Sequence, residues 1–273
     1  MALVLGVGAF GNDVRRLQDY LNRELSSTLV LDGSFGGNTK AEVLRFRNRF
    51  GLPAAPVFDD QCFAISADRG FAPPDFDTHP SKSGVNWPRR PTGLSSPDGA
   101  TMQAKCGTIS FVHAPRPGNP EHIKVTNNFE AANISAVDIP QLRDCVVPTG
   151  SGVVKTDGRI RFHKKHMDRL RKLFADWEAA GLVDRILTFD GSFNLRLKRG
   201  STSATVANLS NHAWGTAFDI NAHWNMRKTV PALMGDRGCL RDMVEIGHAN
   251  GFYWGGHFGT RDGMHFEVAK EML

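Results

Sequence analysis

The sequence predicts an α+β chain with two folding units. The first is a small bundle of three helices, and the second packs helices on a small antiparallel sheet. Apolar residues recur at helical spacing over the first 65 residues. Proline then concentrates, with six of the fourteen prolines between Pro73 and Pro97. Beyond that tract, strand-like runs and helices come in separate blocks rather than regular βαβ units, which argues against a doubly wound sheet.

In order along the chain, Asp13 is read as an N-cap, followed by Val14, Leu17, Leu21 and Leu25 at helical spacing. The turn-rich stretch Asp32 to Asn38 leads into a second helix with Val43, Phe46 and Phe50 on its apolar face, ended by Gly51. A third helix is expected near Asp59–Phe63. This unit occupies residues 1–70, and the Pro/Gly/Ser-rich tract over 71–105 reads as a connector. In the remaining unit, 106–273, an amphipathic helix is expected from His163 to Ala180, stopped by Gly181. A second is expected from Arg237 to Asn250, with Gly251 beyond it. Arg185–Phe189, Ala217–Asn221 and Met264–Val268 read as strands.

A chain of 273 residues with 41% hydrophobic and 22% charged residues is neither disordered nor of membrane type. No run approaches the roughly 20 apolar residues of a spanning helix. The net charge is +5; residues 1–70 balance eight Lys/Arg against eight Asp/Glu, so the excess lies towards the C-terminus. That excess favours polyanionic partners, but no nucleic-acid-binding motif accompanies it, and none is expected. Cys62, Cys106, Cys145 and Cys239 form no CxxC pair, so buried free thiols are expected. The apolar start lacks a basic n-region and reads as mature protein rather than a signal peptide.

Five of the ten histidines lie in the last 62 residues. The segments S-N-H-A-W-G-T-A-F-D (210–219) and D-G-M-H-F-E (262–267) are the sharpest. A mononuclear zinc hydrolase needs three imidazole or carboxylate ligands and an open position for water, whose pKa the metal lowers. His212, Asp219 and His265 can supply that set, and Asp262, three residues before His265, can act as general base. The same residues also read as a capped turn, a solvated carboxylate and a core histidine.

Two resemblances bear on these readings. The order G-N-D-V-R-R-L-Q-D-Y-L-N (11–22), D-G-S-F-G-G-N-T (32–39), E-V-L-R-F-R (42–47) and G-L (51–52) resembles the three-helix peptidoglycan-binding domain. It departs at Glu42 and Arg47, where that family usually has Ala and Gln. The pattern S-x-H-x-x-G-x-A-x-D followed by D-x-x-H-F-E resembles the VanY-type zinc peptidases of bacterial cell walls. Ser210, His212, Gly215, Ala217 and Asp219 fill every fixed position, and G-S-F-N-L-R (191–196) and G-F-Y-W-G-G (251–256) are similar too.

The second resemblance implies Zn²⁺ on His212, Asp219 and His265, with Asp262 as general base. Arg196 would stabilise a substrate carboxylate or the oxyanion, with Lys198 and Arg199 as rivals for that role. Glu267 is expected to orient His265, and Ser210 to hydrogen-bond near the metal site. His163 and His166 are expected at the surface, His257, where relatives often carry an acidic residue, either at the surface or touching substrate, and Trp214 and Trp254 in pocket walls or core. Together the resemblances imply a monomeric, endolysin-like peptidoglycan hydrolase of phage type, cutting the L-Ala–D-Glu bond of the wall stem peptide. It would be made in the host cytoplasm without membrane insertion and act in the periplasm or wall after release. The alternatives are a bacterial D-alanyl-D-alanine carboxypeptidase of the same family and a wall-binding protein with a silent zinc site.

Overall fold

The computed structural model describes residues 4–9, 12–69, 71, 87–150, 152–234 and 236–273. The chain forms two compact units, Met1–Trp87 with Ala232–Arg241, and Pro88–Pro231 with Asp242–Leu273.

The first unit contains α1 (Asn12–Leu25), α2 (Gly37–Arg49) and α3 (Asp60–Ser66), with a two-residue ladder between β1 (Leu5–Gly6) and β2 (Val57–Phe58). Its core unites Val14, Leu17, Leu21 and Leu25 with Val43 and Phe46, the residues whose periodicity predicts α1 and α2. An aromatic cluster of Tyr20, Phe46, Phe58, Phe63 and Phe71 completes it, with Tyr20 and Phe71 stacked at 5.1 Å. Arg47 is a core cation: it donates to the Pro53 and Val57 carbonyls and pairs with Asp59 at 2.9 Å. Asp59 in turn caps α3, so Arg47 ties the second helix to the start of the third. Asp13 is not an N-cap, because α1 begins one residue earlier and Asp13 lies in its first turn.

The second unit is built around one antiparallel sheet in the order β11-β12-β10-β9, comprising β9 (Phe189–Gly191), β10 (Ala217–Ile220), β11 (Phe252–Trp254) and β12 (His265–Val268). Side chains alternate across a strand, and here the alternation divides core from site. Phe218 and Phe266, paired across β10 and β12, stack at 5.6 Å and meet Trp177 of α6 (Met167–Ala179). Helix α7 (Val244–Ala249) packs on the sheet's β11 side and against α6. Before the sheet come α4 (Gly99–Cys106), α5 (Phe129–Asn133) and three two-stranded ladders. These are β3 (Phe111–His113) with β4 (Ile123–Val125), β5 (Ile134–Asp138) with β8 (Arg159–His163), and β6 (Val146–Thr149) with β7 (Gly152–Lys155).

Several elements differ from their sequence reading. Residues 72–86 of the expected connector lie outside the described residues. Its last part is not connector but α4, because Asp98 caps Thr101 N at 2.8 Å and Met102 enters the core. The strand expected over Arg185–Phe189 starts only at Phe189: the Asn221 side-chain oxygen accepts from Leu187 N and Thr188 N, taking the place of a neighbouring strand. The helix expected from Arg237 is delayed to a short turn at Arg241–Met243 and then α7, since Gly238 adopts φ +80. The helix expected from His163 begins as a tight turn, Lys164–His166, because His163 still closes β8 and caps that turn with its ring.

Candidate metal centre

His212 sits in the tight helical turn Asn211–Trp214, which ends at Gly215 in the left-handed region (φ +67). A Cβ at Gly215 would lie 2.7 Å from Ile134 Cδ1, so both the conformation and the space call for glycine. The chain then enters β10, whose Asp219 stands directly opposite His265 on β12. The two ligand candidates are therefore cross-strand neighbours on one face of the sheet.

The candidate donor atoms of His212, Asp219 and His265 all lie within 4.8 Å of one another. His212 Nε2 is 3.3 Å from Asp219 Oδ2, His265 Nδ1 is 3.0 Å from Asp219 Oδ1, and the two ring nitrogens are 3.1 Å apart. The outer nitrogens fix the tautomers. His212 Nδ1 donates to the Ser192 carbonyl at 2.6 Å, and His265 Nε2 donates to Glu267 Oε2 at 2.8 Å. Asn211 Nδ2 donates to that same Glu267 oxygen at 2.7 Å. With their protons outward, both rings turn lone pairs towards each other and towards a carboxylate. That convergence is repulsive unless a cation sits in it, so the donor set fits a metal ion.

The electrostatics agree. Burial disfavours charge on His265, yet its hydrogen bonds and ion pairs with Asp219 and Glu267 outweigh burial and push its pKa up to about 10. Burial works against the Asp219 and Glu267 carboxylates too, but the imidazoles hold both below their ordinary range. The site thus holds a cation strongly, and a divalent ion would displace the proton.

A cavity of about 280 Å³ opens beside the histidines, and Asp262, Arg196, Arg227 and Phe258 also line it. Asp262 precedes His265 by one turn, with His265 N donating to the Asp262 carbonyl at 3.1 Å. A Cβ on Gly255 would lie 2.4 Å from that carbonyl oxygen, so glycine lets β11 close on this turn. Asp262 Oδ1 is buried without a hydrogen-bond partner. Burial raises the pKa of this carboxyl, against the pull of His265. Arg196, also on the lining, is half-buried, and burial lowers its pKa while Asp219 opposes that. Its rivals are engaged elsewhere: Lys198 Nζ donates to the Ala207 carbonyl at 2.7 Å, and Arg199 pairs with buried Glu121 at 2.9 Å.

The structure therefore brings His212, Asp219 and His265 together and sets Asp262 and Arg196 on the same cavity. Three other histidines depart from expectation. His163, His166 and His257 are buried, not at the surface. His163 Nε2 donates to the Cys106 carbonyl at 2.9 Å, and His166 lies 3.9 Å from the Cys106 thiol. His257 packs on His248, Tyr253 and Trp254. Trp214 and Trp254 are wholly buried, as expected of core. All four cysteines are free, three of them buried and Cys145 half-buried. The sequence reading missed Ser192, Asn211 and Arg227. The first two act through their positions around the histidines, and Arg227 sits in a loop without periodic pattern.

Comparison with known families finds a match to part of the chain in each half. Residues 203–268 match the family model described as D-alanyl-D-alanine carboxypeptidase, and residues 10–65 match that of a peptidoglycan binding domain. No curated protein matches the chain. Among the described residues no helix is long and apolar enough to cross a membrane.

Proposed function

We propose, for a chain that joins a peptidoglycan-binding domain to a D-alanyl-D-alanine carboxypeptidase-type domain, a zinc-dependent peptidase of the wall stem peptide. Its bond would be L-Ala–D-Glu, and its role that of a phage endolysin released onto the wall. The observation that carries this reading is the convergence of His212, Asp219 and His265 beside a cavity that both histidines line together with Asp262, one of whose carboxylate oxygens is buried without a partner. The order of a wall-binding unit before a peptidase unit supports the endolysin role.

Zinc held by His212, Asp219 and His265 would supply a Lewis acid for the scissile carbonyl and acidify a water. Glu267 and the Ser192 carbonyl hold the two rings in the tautomers that ligation needs. Asp262 accepts the water's proton, and its raised pKa makes it a stronger base than an exposed aspartate. The protonated Asp262 then gives that proton to the leaving amine. Arg196 donates to the oxygen on which charge develops, from a half-buried position where its field is little screened. The N-terminal unit keeps this site near an insoluble substrate, raising its effective concentration.

The test is mass spectrometry of fragments released from purified peptidoglycan by the wild type and by Asp262→Asn. New amino termini on D-Glu, lost in the variant, support the reading. Release of D-Ala alone replaces it with a carboxypeptidase, and no release by folded, zinc-loaded protein leaves a wall-binding protein with a silent site.

A further inference from the structure

Four cationic side chains line the cavity: Arg196, Lys198, Arg199 and Arg227. Three have protein acceptors. Arg196 Nη1 donates to the Leu197 carbonyl at 3.2 Å, Lys198 to the Ala207 carbonyl and Arg199 to Glu121. Arg227 is half-buried and makes no hydrogen bond or ion pair with any described residue. A guanidinium carries five donors, and those of Arg227 stay open to solvent at the cavity lining, where a substrate acceptor can replace water.

The backbone that carries Arg227 is held firmly. It sits in the turn Met226–Thr229, which Thr229 closes by donating to the Met226 carbonyl from both its backbone N (3.1 Å) and its Oγ1 (2.6 Å). The next residue, Lys228, is a non-glycine residue at φ +73, a strained conformation that the surroundings must enforce. They do so through the loop that carries Asp262. Lys228 N donates to the Arg261 carbonyl at 2.8 Å, and Met264 N donates to the Asn225 carbonyl at 3.2 Å. Gly263 lies so close to Pro231 that a Cβ would come within 2.6 Å of the ring. Arg227 and Asp262 are thus fixed to one backbone framework, and the Arg227 charge acts on the Asp262 carboxylate.

We infer that Arg227 is a specificity residue that receives a free carboxylate of the substrate, on the carbon bearing the nitrogen that leaves. The inference rests on the stem-peptide reading above. Asp262 delivers its proton to the leaving amine, so a group fixed beside Asp262 faces the leaving side of the bond. A γ-linked D-glutamyl residue keeps its α-carboxylate free two bonds from that nitrogen, and the planar guanidinium fork matches a carboxylate in a bidentate way. Arg196 is then left to the carbonyl oxygen.

The test compares two soluble peptides, L-Ala-γ-D-Glu-L-Lys and its counterpart with the glutamyl α-carboxylate converted to the amide. Wild type, Arg227→Gln and Arg227→Lys are assayed, with zinc content and melting temperature confirming that each is folded and loaded. Wild type favours the carboxylate peptide on the order of 10- to 100-fold in kcat/KM, as a charge-assisted contact gives. In Arg227→Gln the ratio falls towards one, chiefly through a raised KM, and Arg227→Lys keeps part of it. A ratio that persists in Arg227→Gln, or equal cleavage of both peptides by wild type, overturns the inference alone. Wild type that cuts neither peptide rejects the bond assignment, and the inference falls with it.

Discussion

Asp219 and His265 face each other directly across two antiparallel strands, with carboxylate and imidazole 3.0 Å apart. One residue away, Phe218 and Phe266 form the next cross-strand pair on the reverse face and stack against Trp177. The same two strands therefore carry the core on one side and two of the candidate metal donors on the other. Strand register sets the spacing of Asp219 and His265, and the turn Asn211–Trp214 brings His212 to them.

Replacing Asp219 with Ala removes one donor and the charge that holds His265 cationic. Bound zinc, measured by plasma emission spectrometry on dialysed protein, is expected to fall from one per chain to near zero. Because two buried imidazoles then face each other without a carboxylate, the melting temperature should fall as well.

Glu267→Gln keeps the size of the side chain and its contact with His265 but removes its charge. The expected result is about a 10- to 100-fold loss in zinc affinity, the usual cost of losing a ligand's supporting carboxylate. A competition titration with a chromophoric chelator measures it. Activity at saturating zinc should recover far more than in the Asp219 variant.

Phe266→Ala opens a cavity under the sheet without touching the donors. A loss of about 3–5 kcal/mol is expected for a wholly buried aromatic, read by urea denaturation followed by tryptophan fluorescence. Looser strand pairing next to His265 should lower zinc affinity in parallel.

Asp13 supplies a pH signature in the N-terminal unit. Burial, and then the nearby Asp236, raise its pKa to about 6 from 3.8, while Arg16 opposes them. The folded unit thus binds this proton more tightly than the unfolded chain does, so its stability declines as pH rises from about 4 to about 6. Asp13→Asn is expected to stabilise α1 at pH 7 by about 1 kcal/mol, with the gain vanishing near pH 4. Amide hydrogen exchange of α1 at the two pH values measures this.

Much of this arrangement is legible in the sequence because it is local. Leu17, Leu21, Val43 and Phe46 announce their helices by spacing, and His212, Gly215 and Asp219 lie within eight residues on one turn and strand. Apart from the helix delayed by Gly238, the misread features depend on distant partners. The burial of His163 is decided by a carbonyl 57 residues earlier, and no local pattern separates it from the exposed Lys164 beside it. The late start of β9 depends on the Asn221 side chain, over thirty residues away. Arg227 looks like one more loop cation until the turn that holds it is seen to be pinned to the backbone of residues 261–264.

The central claim, hydrolysis of a stem-peptide amide at the His212–Asp219–His265 centre, is tested most directly by metal removal and return. Purified peptidoglycan is digested with chelator-stripped protein and with the same protein after one equivalent of zinc, and new amino termini are counted by mass spectrometry. The account predicts no new termini from the stripped protein and new D-Glu termini once zinc is restored. Undiminished release by stripped protein that holds no metal would contradict it.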